Sequence, residues 1–294
     1  MNNDKVLFLL DSLKYLGFGE RPALNEQLEE RIANEVPEFQ LYTESFYDED
    51  YKLETLLHFR KSDRYDMYFF NKYEALLRRG DDPETDRTQT FYISKGTGIT
   101  LKEAFNLLQG RAVNKNLTNV EGEKYNAWLQ LNFEEIDMNH NYKVRQFGKQ
   151  YGYELEKVLE KYPIRELQLE ESKTLLLKAL NRGNLQPVHF LKADKAEKMF
   201  IEACPQFKTI NIYTSVAKAM QKLAKKPGPR VRKEVPEHPG DPEAEERKEE
   251  EPIASEEGVE ERIEEGVEEG VEEGVEEEVE IPVKKSAAKK GGRK

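Results

Sequence analysis

From Asp4 to Leu16 apolar residues recur every three or four positions. Val6, Leu9, Leu10, Leu13 and Leu16 share one face, and Gly17 stops the run. This spacing predicts a helix. A second is expected over about Asn25–Asn34, where Leu24, Leu28 and Ile32 are spaced by four and Pro37 lies beyond. Then the period changes. Phe39–Tyr47, Leu53–Arg60, Tyr65–Leu77 and Gln89–Ser94 are dense in aromatic and aliphatic residues. Turn-like clusters part them at Asp48-Glu49-Asp50, Ser62-Asp63 and Gly80-Asp81-Asp82-Pro83. The pattern reads as a β-meander of about four strands, although the second half of Tyr65–Leu77 is equally suited to open a helix.

A second set of elements follows. Thr100-Leu101-Lys102-Glu103 has the spacing of a capping box, in which the threonine hydroxyl and the glutamate carboxylate satisfy each other's early helix N–H groups. Leu101, Ala104, Phe105 and Leu108 form its apolar stripe. Tyr125, Ala127, Leu129, Leu131 and Phe133 alternate as one face of a strand, a turn at Asp137–Asn141 follows, and the chain returns along Tyr142–Phe147. Helices are expected at Tyr153–Lys161 and Glu170–Asn181, stopped by Pro163 and Gly183. Short strands are expected at Val188–Lys192, Lys198–Ala203 and Lys208–Tyr213. Val216–Lys225 reads as an amphipathic basic helix.

Composition divides the chain after that helix. All 29 aromatic residues and every leucine lie before residue 225. The formal net charge is −12, yet residues 1–224 carry only −3 of it. From Glu234 to Glu280 there are 23 acidic and 3 basic residues, with a Glu-Glu-Gly-Val tetrad that sets Val259, Ile263, Val267, Val271, Val275 and Val279 four apart. A period of four drifts against the helical 3.6, each Gly costs about 1 kcal/mol, and like charges repel; disorder is expected. The last segment, Val283–Lys294, carries six basic residues and no acid. The expected organisation is a helix pair plus β-meander at 1–95, an α+β module at 96–213, a basic helix at 214–226 and an acidic tail with a basic end at 227–294. The fold class is α+β, two small modules with helices on mostly antiparallel sheets.

Other classes fall away. The longest early apolar run, Val6–Leu10, is flanked by Asp4 and Asp11, too short and charged for a signal peptide or a spanning helix. A single cysteine, Cys204, leaves no internal disulfide framework and no Cys-rich zinc module, and points to the cytoplasm. Lys95-Gly96-Thr97-Gly98 lacks the spacing of a phosphate-cradling loop. Asp137-Met138-Asn139-His140-Asn141 opens like a calcium loop, but Tyr142 and Gly148 stand where Gly and a bidentate Glu are needed. The histidines His58, His140, His189 and His238 are scattered one to a region. No cofactor, metal or enzymatic activity is expected.

Leu107-Leu108-Gln109-Gly110-Arg111-Ala112-Val113-Asn114-Lys115 is followed by Glu121-Gly122-Glu123-Lys124-Tyr125-Asn126-Ala127-Trp128. Further on come Gln146-Phe147, Tyr151-Gly152-Tyr153, Pro163-Ile164, Gly183-Asn184, Lys198-Met199-Phe200-Ile201-Glu202-Ala203 and Pro205-Gln206-Phe207-Lys208-Thr209-Ile210-Asn211 with Tyr213. Over about residues 100–213 this string resembles an uncharacterised domain family encoded on conjugative and mobilisable elements of Bacteroidales. The first module, with Asp66-Met67-Tyr68-Phe69-Phe70-Asn71-Lys72-Tyr73, looks like its companion segment. The resemblance implies a mobile-element setting, often near topoisomerase and transfer genes; the family carries no established activity. The repeat tail departs from the family.

One surface candidate remains. With Leu129, Leu131 and Phe133 facing a core, alternation puts Trp128, Gln130 and Asn132 on the opposite face, where Lys143, Arg145 and Phe147 join them across the hairpin. Aromatic, amide and basic groups together suit single-stranded nucleic acid. The competing reading is that helices cover this face and Trp128 is core. Basic clusters around Lys218–Lys233 and Lys284–Lys294 attract polyanions, and the acidic block would compete for them. The expected function is a non-enzymatic accessory protein of a mobile element, contacting nucleic acid or a DNA-processing complex. The alternative is an adaptor or regulator whose acidic tail contacts a basic partner.

Overall fold

The computed structural model describes residues 2–219 apart from 20, 48–50, 81–82, 95–97, 120 and 193–194, all within one compact unit. The expectations for the Gly-rich turn at 95–97, the acidic tail and the basic end lie outside the described residues. Of the basic helix only the first turn, 216–219, is described, and it is helical. No helix among the described residues is long and apolar enough to cross a membrane.

The architecture is α+β, three small antiparallel sheets with packed helices. Helices α1 (Asn2–Tyr15) and α2 (Pro22–Ala33) precede strands β1 (Glu38–Phe46), β2 (Tyr51–Lys61), β3 (Tyr68–Arg79) and β4 (Arg87–Tyr92), which pair in chain order. The ambiguous Tyr65–Leu77 region resolves into strand, because β3 has a neighbour on each side: Tyr73 stands opposite both Leu57 and Phe91. Helix α3 (Leu101–Leu108) carries the capping box, with Thr100 N–H donating to Glu103 at 2.9 Å and Glu103 N–H to the Thr100 hydroxyl at 3.4 Å. A three-stranded sheet follows, β5 (Val113–Thr118), β6 (Lys124–Ile136) and β7 (Tyr142–Gly148), in the order β5-β6-β7. Helices α4 (Leu155–Leu159) and α5 (Glu170–Asn181) lead to β8 (Gln186–Lys192), β9 (Lys195–Cys204) and β10 (Thr209–Tyr213), ordered β10-β9-β8.

Two hydrophobic clusters fill the interior, and β6 lies between them. Its odd positions Leu129, Leu131 and Phe133 join α1–α3 and the four-stranded sheet through Leu13, Leu28, Leu57, Phe105 and Leu108. Its even position Trp128 joins Phe147, Tyr153, Leu159, Leu180, Val188 and Ile201 in the second cluster. Each fully buried side chain of this kind contributes about 1.5–3 kcal/mol. The first cluster therefore runs across the boundary expected at residue 95. Leu101 N–H donates to Leu16 C=O at 2.8 Å, and the Tyr73 hydroxyl to Ile99 C=O at 2.6 Å, so α3 is bonded into the N-terminal layer.

A polar seam ties the two clusters together. Asn106, fully buried, donates to Arg182 C=O at 2.7 Å and to Asn184 Oδ1 at 2.9 Å, and accepts from Arg111 at 2.7 Å. Gln130 donates to Gly110 C=O at 2.8 Å. Deeper in, buried Glu202 accepts from Asn211 and Tyr213, each at 2.8 Å. Burial and Glu202 push the Tyr213 phenol up, with Arg111 pulling against them. Gly183 closes the seam at φ +77°, where an added Cβ would stand 2.8 Å from Ala112 C=O and 3.2 Å from Asn106 Cβ.

Gly183→Ala should therefore cost about 3 kcal/mol, the sum of a left-handed backbone penalty and a clash with backbone. Gly122→Ala, at φ +87° with open space around it, should carry the backbone penalty alone, about 1 kcal/mol. Urea unfolding of both variants checks the contrast; equal costs would mean that the close approach at Gly183 contributes nothing.

Candidate functional site

The structure brings the six expected surface residues together in cross-strand pairs: Trp128 opposite Phe147, Gln130 opposite Arg145, Asn132 opposite Lys143. It does not leave them as an open platform. Trp128 is 5% exposed, its ring edge-on to Tyr153 at 5.4 Å, and Phe147 is buried beside Tyr151. Segments 153–213 supply the cover, so the reading in which Trp128 is core describes this half of the face. The other half reaches solvent with its charges matched. Lys143 donates to Glu135 at 2.9 Å, which holds that carboxyl below its ordinary range. Arg145 donates to Asn132 at 2.7 Å and lies 3.6 Å from Glu134. Asn132 is itself buried. Exposed ion pairs like these contribute little and exchange readily.

The sheet edges show a different kind of chemistry. An edge strand presents unpaired N–H and C=O groups that invite another strand. At three of the edges a side chain caps a backbone group. At β1, Arg21 donates to Glu44 C=O at 2.6 Å and to the hydroxyls of Thr43 and Ser45. At β4, Asn141 accepts from Thr90 N–H at 2.9 Å. At β8, Glu166 accepts from His189 N–H at 2.9 Å and lies 2.7 Å from the same residue's Nδ1, while Leu191 N–H donates to Pro163 C=O. Two others are partly covered, β10 by Tyr153 donating to Thr209 C=O and β5 by α5.

Beyond its first residue, β7 has no such cap among the described residues. Gln89 accepts from Tyr142 N–H at 2.8 Å and donates to Tyr142 C=O at 3.3 Å, so both backbone groups of Tyr142 point away from β6. Alternation then turns those of Val144 and Gln146 the same way. There, no backbone hydrogen bond to another element is found among the described residues. Val144 is 45% exposed. From Tyr142 to Tyr153 the sequence holds Lys143, Arg145 and Lys149 and no acid. Sequence reasoning missed this edge; the acid-free run was the one signal of it.

The remaining candidates have structural partners. His58 sits on the first sheet between Gln40, 3.2 Å from its Nδ1, and Glu74, 3.2 Å from its Nε2. His140 occupies the β6–β7 turn at φ +59°. Asp137 spends a carboxylate oxygen there on the N–H groups of Asn139 and Asn141, as a turn requires. Cys204 is buried. Among the described residues no group of three or more His, Cys, Asp and Glu side chains is placed to hold a metal ion. His238 lies outside the described residues. No family model, no curated protein and no solved structure matches the chain.

Burial opposes ionisation of Glu166, but hydrogen bonds from the His189 backbone and ring outweigh it and leave the carboxyl below its ordinary value. A carboxyl lowered in this way stabilises the fold above its unfolded value of about 4.3, and the contribution is lost as pH falls through the folded one. Urea midpoints measured from about pH 6 down to about pH 3 should fall less steeply for Glu166→Gln than for the parent chain. Parallel profiles would show that the edge closure adds no pH-dependent stability.

Proposed function

We propose that this chain is a non-catalytic accessory protein that works by contacting another protein, in keeping with the DNA-processing or transfer setting its resemblance implies. One observation carries this preference over nucleic-acid binding: Trp128 and Phe147, the two rings that were to stack on bases, belong to the second core. Base stacking needs an exposed ring face. In this reading the fold is two small modules that share β6 as a common wall, and that wall is a scaffold.

Fluorescence anisotropy with labelled single- and double-stranded oligonucleotides, over a salt series, tests the choice. The full chain at about 10 µM should give no binding that Lys143→Ala/Arg145→Ala removes. Salt-sensitive binding abolished by that double substitution would overturn the proposal and restore the nucleic-acid reading. Trp128→Ala is expected to unfold the chain by about 3–5 kcal/mol, and so cannot serve as a binding variant.

A further inference from the structure

Resting on the protein-contact reading above, we infer that the outer edge of β7 is a docking site for an extended acidic segment of a partner protein, which adds to the β5-β6-β7 sheet as a fourth strand. Backbone geometry gives the first argument. The outward N–H and C=O groups of Val144 and Gln146 make an acceptor–donor ladder with no bond to another element among the described residues. A peptide strand matches such a ladder, and a nucleic acid does not. Continuity is the second argument. Side chains cap single backbone groups at β1, β4 and β8, as Gln89 does at Tyr142, whereas the next two outward positions of β7, Val144 and Gln146, carry no such cap among the described residues.

Charge selects the occupant. Lys143 and Arg145 project from one face of β7, and Lys149 follows in the next turn; no acid lies between Tyr142 and Tyr153 in a chain whose net charge is −12. An incoming strand would set alternate residues beside Lys143 and Arg145, and the intervening ones beside exposed Val144 and Gln146. The matching pattern is acid, apolar, acid. A second copy of β7 fails this requirement, because it would set these cations against cations. Glu134 and Glu135, which hold the cations in the free protein, are exposed partners that an incoming carboxylate displaces at little cost.

The test uses the full chain with a blocked peptide, Glu-Val-Glu-Ile-Glu-Val, its Lys-for-Glu counterpart, and a single-stranded oligonucleotide. Amide hydrogen exchange at Val144 and Gln146 is the readout. The acidic peptide should slow both amides by about tenfold or more at saturation, and the basic peptide should not. Val144→Pro removes an outward N–H without touching the β6 ladder, which an edge strand tolerates, and should abolish the effect. Lys143→Glu/Arg145→Glu should transfer the effect to the basic peptide, which keeps the test decisive even where the proline variant unfolds. Equal protection by both peptides, or none by any probe, defeats the docking inference alone. Protection of these amides by the oligonucleotide defeats it together with the proposed function.

Discussion

Burial of β6 on both faces is the constraint on which the rest of the structure depends. Side chains alternate along a strand, so Leu129, Leu131 and Phe133 are committed to one core and Trp128 to the other. A slip of one residue would exchange the two sets and drive Trp128 among α1–α3. Neither core closes without this strand. The polar seam fixes its place: Asn106 at the end of α3 grips Arg111 ahead of β5 and Asn184 ahead of β8. Such buried amides cost about 1–3 kcal/mol each when left unpaired, so an alternative docking of the two halves is penalised even where its apolar packing is adequate.

The second constraint is the number of edges. Three small sheets expose six edge strands, where one larger sheet would expose two. Each edge is an opening for unwanted pairing. The chain meets this with single side chains aimed at backbone groups, and uses long ones where the span is wide: Arg21 reaches three residues of β1, and Gln89 imitates a peptide group against Tyr142. Positions that look like scattered surface charge in the sequence thus have assigned partners, and the histidine–carboxylate pair at Glu166 and His189 belongs to this set.

Local pattern made most elements legible. The helical stripes of α1 and α3, the meander, the capping box at Thr100 and the turn at Asp137 all follow from residues near one another in sequence. Strand β5 escaped because Val113 and Leu117 are its only apolar residues; it is held by an amide ladder of Asn114, Asn116 and Asn126 that has no hydrophobic period. Alternation also gave the membership of the Trp128 face correctly. It gave no account of what covers that face, because Tyr153, Leu180, Val188 and Ile201 arrive from far along the chain. The same limit hid the open edge of β7, which is defined by partners that other strands have.

Positive charge on that edge bears on how such a protein avoids its own aggregation. A flat, open strand with an exposed valine at its centre is a template for self-pairing. Antiparallel pairing of β7 with a second β7 would bring Lys143 and Arg145 of one copy against those of the other, and like charges directly opposite are destabilising. The cations therefore deny the edge to itself while leaving it complementary to acid. Protection against self-association and complementarity to an acidic strand are then one property, carried by the same two side chains.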